Sequence, residues 1–323
     1  MRKLLLLALA LLLAACTGEF TPEPTPEPTL PPAQHSPTLY DSLSVRWSLT
    51  GILIPPGRSH VPLATADDLV ILYSVDGSGE NPTLQAIDVL SAEVVWSRPF
   101  RSLSALYADP GGVYVGQAGG GATVTKLALR SGAKQWSRNH WTSSGVDYLL
   151  VFKDALQVYL VPTKHIIVDV RNGDRLSPFG AESPPRFATA YCGQVWQPPV
   201  YLDDLVYLRA GGGVGVGEVC AVDLTTGQLL WRSELSVLSN IITIGGTPVV
   251  LLDNGDLVAL DPDAGIVQSR LASFDGSPIQ TYEPSGATGN FLLAYNIPNE
   301  TILVYLGDSH QLFAFQESVK APD

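Results

Sequence analysis

The stretch Ala221-Val222-Asp223-Leu224-Thr225-Thr226-Gly227, followed after three more residues by Trp231, decides the fold because it has a near copy earlier in the chain. The earlier copy is Ala86-Ile87-Asp88-Val89-Leu90-Ser91-Ala92, and it ends at Trp96, so Trp stands eight residues after Asp in both. Four weaker copies are Lys126-Leu127-Ala128 with Gly132 and Trp136, Ile167-Val168-Asp169 with Gly173, Ala259-Leu260-Asp261 with Gly265, and Ala314-Phe315-Gln316. The chain therefore contains a tandem repeat of six copies.

The spacing of the copies fits one repeat architecture. The intervals between equivalent Asp positions are 40, 41, 54, 38 and 55 residues, near the roughly 40 to 50 that a four-stranded propeller blade requires. Each interval divides into short β-branched or aromatic runs separated by turn residues, and no stretch keeps helical apolar spacing over three turns. We therefore predict an all-β chain with one propeller of six four-stranded antiparallel blades. Seven blades are the alternative, although the two long intervals exceed the others by only about fourteen residues, too few for another blade.

This motif, Ala-x-Asp-x-x-Thr-Gly followed by three residues and Trp, resembles the PQQ-like β-propeller repeat over residues 43–316. The resemblance implies that the Gly makes the turn between the third and fourth strands of a blade, and that the Trp packs flat between blades. It is weakest in copy three, where Ser177 replaces Trp, and in copy six, which lacks a fourth strand. Residues given structural roles in the repeat are Trp47, Asp88, Trp96, Trp136, Asp169, Asp223, Gly227, Trp231, Asp261 and Gly265.

The missing fourth strand of copy six has a source at the start of the domain. Residues 43–49, Leu-Ser-Val-Arg-Trp-Ser-Leu, read as an orphan fourth strand that includes Trp47. Pairing this strand with residues 311–315 joins the first strand to the last blade and removes an exposed sheet edge. We expect this strand to close the ring.

Composition and charge exclude several classes of protein. The 323 residues are 46% hydrophobic and 15% charged, with 30 Gly and 25 Pro, which is too apolar for disorder and too rich in turn residues for a helical bundle. A net charge of −12 and the lack of any Lys/Arg cluster argue against a nucleic-acid partner, because phosphates would be repelled.

The N-terminal residues predict where in the cell the protein is located. Residues 1–15 have a basic start and a twelve-residue apolar run, too short to span a bilayer and typical of a secretory signal peptide. Leu13-Ala14-Ala15-Cys16 resembles the lipobox of bacterial lipoproteins, which implies cleavage before Cys16 and a lipid on its thiol. We expect an extracytoplasmic protein anchored to the cell membrane or the outer membrane. An ordinary signal peptide with an accidental Cys is the alternative.

Three segments follow from this interpretation: the signal peptide at 1–15, a lipidated Cys and linker at 16–42, and the propeller domain at 43–323. The linker contains a proline-dense run at 21–32, which stays extended because it lacks backbone donors and apolar side chains. It is either a spacer that lifts the domain from the lipid or a passive stalk.

Cys192 and Cys220 remain once Cys16 is set aside, an even pair in a compartment where disulfides persist. We predict that they form a disulfide, which would contribute roughly 3 kcal/mol by closing a loop of that length. Two buried free thiols are the alternative.

No residue carries a signal for catalysis, cofactor or metal. The glycine runs at 119–121 and 211–213 are not followed by Gly-Lys-Ser/Thr, the five His residues lack metal-pair spacing, and no Gly-x-Ser-x-Gly occurs. Acidic turns at 253–256 and 261–263 lack the spacing and final Glu of an EF-hand. Flexible hairpin tips and ordinary Asx turns are the favoured interpretation.

Strand direction predicts which face binds a partner. If the four strands of a blade are named A to D in chain order and alternate in direction, the B–C hairpins and D–A connections share one face. That face holds the glycine hairpins and the long inserts predicted at 178–199 and 269–289. It also carries Trp141, Tyr191, Trp196 and Tyr282, aromatic residues that suit binding surfaces. The alternative is that these rings pack their own loops.

The resemblance leaves two classes of function. Quinoprotein dehydrogenases with this repeat bind PQQ on eight blades using a stacked Trp, a catalytic Asp, calcium and adjacent cysteines, whereas the barrel-assembly lipoprotein with this repeat is non-catalytic. Adjacent cysteines are absent from this sequence. We expect a non-catalytic, cofactor-free scaffold, a monomeric domain that binds a protein or polymer partner in the envelope and reaches the membrane through its lipid. A PQQ-dependent or other small-molecule oxidoreductase and a surface glycan-binding module are the alternatives.

Overall fold

The computed structural model describes residues 37–40, 43–54, 62–76, 80–117, 121–140, 145–152, 155–160, 164–176, 192, 199–211, 216–274 and 291–317. These residues form twenty-four strands in six sheets, and no helix occurs among them. It follows that the described part of the chain has no helix long and apolar enough to cross a membrane. The predicted all-β fold is confirmed.

The six sheets are the blades of a six-bladed propeller, as predicted. Blade one contains β3 (Leu63–Ala66), β4 (Leu69–Ser74), β5 (Thr83–Asp88) and β6 (Val94–Pro99), and blade two contains β7 (Leu103–Asp109), β8 (Gly112–Gln117), β9 (Thr123–Leu127) and β10 (Lys134–Asn139). Blade three contains β11 (Val146–Phe152), β12 (Ala155–Leu160) and β13 (Lys164–Asp169), and blade four contains β14 (Val200–Leu202), β15 (Leu205–Ala210), β16 (Glu218–Asp223) and β17 (Leu229–Arg232). Blade five contains β18 (Ile242–Ile244), β19 (Thr247–Leu251), β20 (Asp256–Leu260) and β21 (Val267–Phe274), and blade six contains β22 (Phe291–Asn296), β23 (Thr301–Leu306) and β24 (Gln311–Glu317).

Blade six receives its fourth strand from the start of the domain, as predicted. Strand β2 (Leu43–Thr50) pairs antiparallel with β24, with Trp47 opposite Ala314 and Leu49 opposite Leu312. The ring is therefore closed by joining the first and last parts of the domain in one sheet, and blade six has no exposed β24 edge.

Blade five has a fifth strand that lies within the predicted linker at 16–42. Strand β1 (Pro37–Leu39) pairs antiparallel with β21, with Pro37 opposite Phe274 and Leu39 opposite Ala272. The domain therefore begins before residue 43. Proline at the start of this outermost strand is compatible with pairing because its missing N–H is tolerated at a sheet edge.

Blade three shows three complete strands in the described part of the chain. Among the described residues, one bridge between Val168 and Arg175 continues the sheet outward, with hydrogen bonds from the N–H groups of Leu176 and Asp169 to the carbonyls of Ile167 and Asp174. This is the blade in which the sequence replaces the repeat Trp by Ser177, which lies outside the described residues.

The core lies between neighbouring blades, because each sheet packs its faces on the sheets beside it. One cluster joins blades five and six around Phe274, Phe313 and Phe315. Other clusters join blades one and two, six and one, two and three, and four and five. The propeller is therefore stabilised seam by seam, and each seam depends on the side chains that fill it.

Candidate functional site

Four of the blade seams are fastened by a tryptophan. The indole N–H of each Trp on an outermost strand donates to a carbonyl in the turn of the next blade. The donor–acceptor pairs are Trp96 with Leu129 at 2.7 Å, Trp136 with Val170 at 3.1 Å, Trp231 with Pro262 at 2.7 Å, and Trp47 with Val89 at 2.8 Å. Each ring thus joins two blades by packing and by one directed hydrogen bond.

In three of the four receiving turns the residue that faces the ring is a glycine, and in the turn that receives Trp47 the equivalent left-handed residue is Ala92. Gly265 has a φ of +67°, and its α-carbon faces the ring of Trp231, so glycine provides both the left-handed backbone and the space for the indole. The equivalent Gly227 has a φ of +70° but no described atom within 4 Å of a Cβ position. The turn at Gly227 would receive its ring from blade three, and in that blade the sequence has Ser177 at the repeat Trp position.

The repeat aspartates organise the same turns. Oδ1 of Asp223 accepts hydrogen bonds from the N–H groups of Thr225 and Thr226 at 2.8 and 2.7 Å, and Asp88 and Asp261 bond their own turns similarly. The backbone donor of Thr226 lowers the pKa of Asp223, because hydrogen bonding favours the charged carboxylate. These carboxylates are used to shape turns, which is a structural role.

Asp169 also binds Arg171, both through the backbone N–H at 2.8 Å and through the guanidinium at 2.9 Å. The side-chain hydrogen bonds from Arg171 lower the pKa of Asp169 to about 2. The carboxylate is therefore ionised at all physiological pH values.

Blades three and four meet through polar aromatic residues. The rings of Tyr148 and Tyr159 stack with centroids 4.0 Å apart, and His165 stacks on Tyr159 at 4.6 Å. Tyr201 of blade four bonds Tyr159, and burial raises the pKa of Tyr201. The sequence repeat does not predict this stack, because it depends on residues from three strands brought side by side.

A central channel with a volume of about 300 Å³ is lined by the innermost strands of all six blades. Its walls are mainly leucine, isoleucine, valine and alanine, and its polar side chains are those of Thr65, Tyr107, Asn240 and Tyr295. Among the described lining residues none is charged. Asn240 bridges blades five and six, since its amide donates to the carbonyl of Leu293 at 2.8 Å and accepts from the N–H of Leu293 at 2.7 Å.

This lining determines what the channel offers chemically. Burial and the charge of Asp109 raise the pKa of Tyr107 to about 12, so its hydroxyl is neutral at physiological pH. The described lining contains no Asp, Arg or Lys side chain, so the polar groups that it presents are the hydroxyls of Thr65, Tyr107 and Tyr295 and the amide of Asn240. No group of metal-binding side chains occurs elsewhere in the described residues.

The predicted binding residues Trp141, Tyr191, Trp196 and Tyr282 lie outside the described residues. The binding face that they define therefore stays a prediction. One boundary of that face is corrected, because residues 269–274 belong to strand β21 and not to the predicted insert at 269–289. The longer strand continues past the position where a repeat Trp would stand, which is why the sequence pattern did not reveal it.

Cys192 and Cys220 are brought together in the structure. Both are buried, and they carry free thiols that are hydrogen-bonded to each other. The predicted disulfide is not formed in this structure, which holds the reduced pair. Contact with the Cys192 thiol and burial raise the pKa of Cys220. The pair packs with Val206, Leu208 and Val222 of blade four.

Comparisons with known proteins place the chain in a family. A family model described as outer membrane protein assembly factor BamB matches residues 44–191 and 181–281. Comparison with curated proteins finds no match. Among solved structures, the WD40 domain of coronin from Toxoplasma gondii is 12% identical, with a TM-score of 0.60, over 88% of this chain and 89% of that chain.

Two further structures complete the comparison. A chain of the mitotic checkpoint complex is 12% identical with a TM-score of 0.62, over 89% of this chain and 99% of that chain. BamB from Moraxella catarrhalis is 14% identical with a TM-score of 0.42, over 87% of this chain and 99% of that chain. The likenesses to the coronin domain and to the mitotic checkpoint chain show a propeller fold. The family match covers most of the sequence. Because that match spans five of the six repeat copies, the chain belongs to the PQQ-like propeller family described as outer membrane protein assembly factor BamB.

Proposed function

We propose that this protein is a non-catalytic, lipid-anchored propeller that binds a partner protein in the cell envelope. The observation that carries the proposal is the match of residues 44–281 to the family described as outer membrane protein assembly factor BamB. The neutral lining of the central channel supports a binding role over a catalytic one, because the described walls contain no converging charged groups.

The anchor is tested by substituting Cys16→Ser in cells that make the full chain. We expect the wild-type protein to partition into detergent and to carry a diacylglycerol mass on the residue that follows the cleaved peptide. The C16S protein should remain in the aqueous phase without that mass. Equal partitioning of both proteins would contradict the lipid anchor.

The partner is tested by site-specific photo-crosslinking in intact envelopes. A photoreactive amino acid replaces Trp141, Trp196 or Tyr282 on the predicted binding face, or Asp203 in the A–B turn of blade four as the control on the opposite face. We expect one discrete protein adduct from the aromatic positions and none from position 203. Adducts to glycan strands would instead support the glycan-binding alternative.

The enzymatic alternative has its own test. Purified protein is mixed with PQQ and calcium, and the melting temperature and the visible spectrum are recorded. A scaffold should show no shift in melting temperature and no bound chromophore after gel filtration. Stoichiometric PQQ retention would overturn the non-catalytic assignment.

A further inference from the structure

The seam between blades five and six lacks the tryptophan that four other seams have. Strand pairing defines the equivalent position in each blade, because every seam Trp stands opposite one fixed residue of the third strand. The pairs are Ala86 with Trp96, Lys126 with Trp136, Ala221 with Trp231, and Ala314 with Trp47. In blade five the partner of Ala259 is Ser269. A hydroxymethyl group therefore stands where the other seams have an indole.

The receiving side of this seam also differs from the others. In the Trp seams the ring lies against a tight turn between the third and fourth strands of the next blade. Blade six has no such turn, because its third strand ends at Glu317 and its fourth strand starts again at Leu43. The ring and the turn that would hold it are thus both missing at the same place.

A cavity of about 490 Å³ lies at this position, within the range of roughly 300–1,000 Å³ that is usual for ligand pockets. Its walls include Ala259 and Ser269, the two residues whose pairing marks the missing Trp, and Leu43 and Glu317, the ends of the interrupted turn. Ile302 contributes an apolar wall from blade six. Several lining residues, among them Leu43, Ile244, Leu271 and Tyr295, are apolar and only partly buried.

The cavity carries a negative rim. Glu300 and Glu317 are the charged residues in its described lining, and both are exposed. Among the described residues no ion pair neutralises either carboxylate. Burial, together with the charges of these two glutamates, raises the pKa of Tyr295 in the cavity wall. The lining therefore combines an apolar interior with unneutralised negative charge at the mouth.

We propose that this cavity, defined as the blade five–six slot, receives an aromatic side chain from a partner protein segment in which a lysine or arginine flanks the aromatic residue. The aromatic ring takes the place that tryptophan has in the other seams, and the basic residue faces Glu300 and Glu317. The inference rests on the proposed function, since it assumes a protein partner. The slot opens beside the A–B turns of blades five and six, so it adds a contact on the face opposite the predicted aromatic face.

The test uses three short peptides with the full-length protein: acetyl-Lys-Trp-Lys-amide, acetyl-Lys-Ala-Lys-amide and acetyl-Glu-Trp-Glu-amide. Binding is measured by isothermal titration at low salt. We expect the Lys-Trp-Lys peptide to bind at least about tenfold more tightly than either of the others, because buried aromatic anchors and complementary charge carry peptide affinity. Equal binding of all three peptides would overturn the proposal.

Variants locate the binding. Ser269→Trp fills the slot with the chain's own indole and should abolish binding of the Lys-Trp-Lys peptide. The double variant Glu300→Gln/Glu317→Gln should lower the affinity for the Lys-Trp-Lys peptide by about tenfold and leave the affinity for acetyl-Ser-Trp-Ser-amide unchanged. The matched control is Glu93→Gln, which changes an exposed turn glutamate of blade one. Unchanged binding to S269W would overturn the proposal. The glutamate variants keep the test informative if S269W does not fold.

Two outcomes separate this inference from the proposed function. If truncation after Glu317 raises peptide affinity by about tenfold or more, the chain's own C-terminal residues occupy the slot, and the assignment to a partner is wrong. If the aromatic-face positions crosslink an envelope partner and a photoreactive residue at position 300 gives no adduct with it, the slot proposal fails while the scaffold proposal stands. Loss of capture in S269W, with an unchanged melting temperature, would support both.

Discussion

Gly265 and Trp231 lie so close that a Cβ atom on residue 265 would be 2.3 Å from Cε3 of the indole. Gly227, the same repeat position one blade earlier, has no described atom within 4 Å of its Cβ position, although its φ of +70° is nearly the same as the +67° of Gly265. The two glycines therefore share one backbone requirement and differ in their surroundings.

This pair separates backbone strain from steric contact. We expect Gly227→Ala to cost about 1–2 kcal/mol of unfolding free energy, the price of a left-handed non-glycine residue. Gly265→Ala should cost about 1–3 kcal/mol more, because the new methyl group must displace the Trp231 ring. Urea unfolding of both variants measures the difference. Equal losses would show that the ring moves aside freely.

The N-terminal strands should contribute unequally to stability. A chain that begins at residue 41 lacks β1 and should lose about 1–3 kcal/mol, largely from the partly buried Leu39. A chain that begins at residue 51 also lacks β2, which exposes the edge of blade six and removes Trp47, whose partly buried ring contributes at most about 3–5 kcal/mol. Thermal unfolding compares the two truncations. An unchanged melting temperature in the shorter chain would contradict ring closure by β2.

Asp169 predicts an acid dependence of stability. Its folded pKa of about 2 lies below its ordinary value of 3.8, so its stabilisation is fully present above about pH 4 and is lost as the pH falls through about 2. Asp169→Asn should therefore lower the melting temperature at pH 7, and the difference from wild type should shrink toward pH 2. Arg171→Gln should reproduce the pattern, since Arg171 is the main cause of the lowered pKa. A difference that is constant with pH would contradict the assignment.

The cysteine pair predicts a redox-dependent covalent state. Protein exported to an oxidising compartment should contain the Cys192–Cys220 disulfide, because the two thiols already lie in contact. Denaturing alkylation without reductant should then modify neither residue, and prior reduction should expose both. Full labelling of both thiols in the exported protein would show that the reduced pair persists. Cys192→Ser should in that case have a small effect on the melting temperature.

Much of the fold was predictable because each copy of the repeat contains residues that specify the turn between the third and fourth strands of a blade. Asp223 and Gly227 mark a turn whose hydrogen bonds and left-handed backbone few other residues provide, so their spacing counts blades directly. Strand β1 was missed because three residues, Pro-Thr-Leu, follow a proline-rich run and carry no alternation. Their pairing depends on the distant strand β21, which is a tertiary contact.

The candidate sites were less predictable for a related reason. The slot at Ser269 exists because blade five has no Trp at this position and because the third and fourth strands of blade six come from opposite ends of the domain. These two features lie far apart in the sequence and come together only in the folded ring. Asn240 precedes an apolar run in the sequence, and nothing local indicates that its amide spans two blades. Aromatic residues in the long inserts could be named from the sequence, but the partner that they contact could not.

The two N-terminal strands also determine how the domain responds to tension. A pull on the chain before Pro37 acts first on β1, which is held to blade five by three residue pairs. Only after these pairs break does the pull reach β2, whose longer pairing with β24 closes the ring. Strand β1 is therefore expected to detach first, so that a transient pull on the N-terminal linker breaks the pairing at the edge of blade five before the closing strand β2 is loaded.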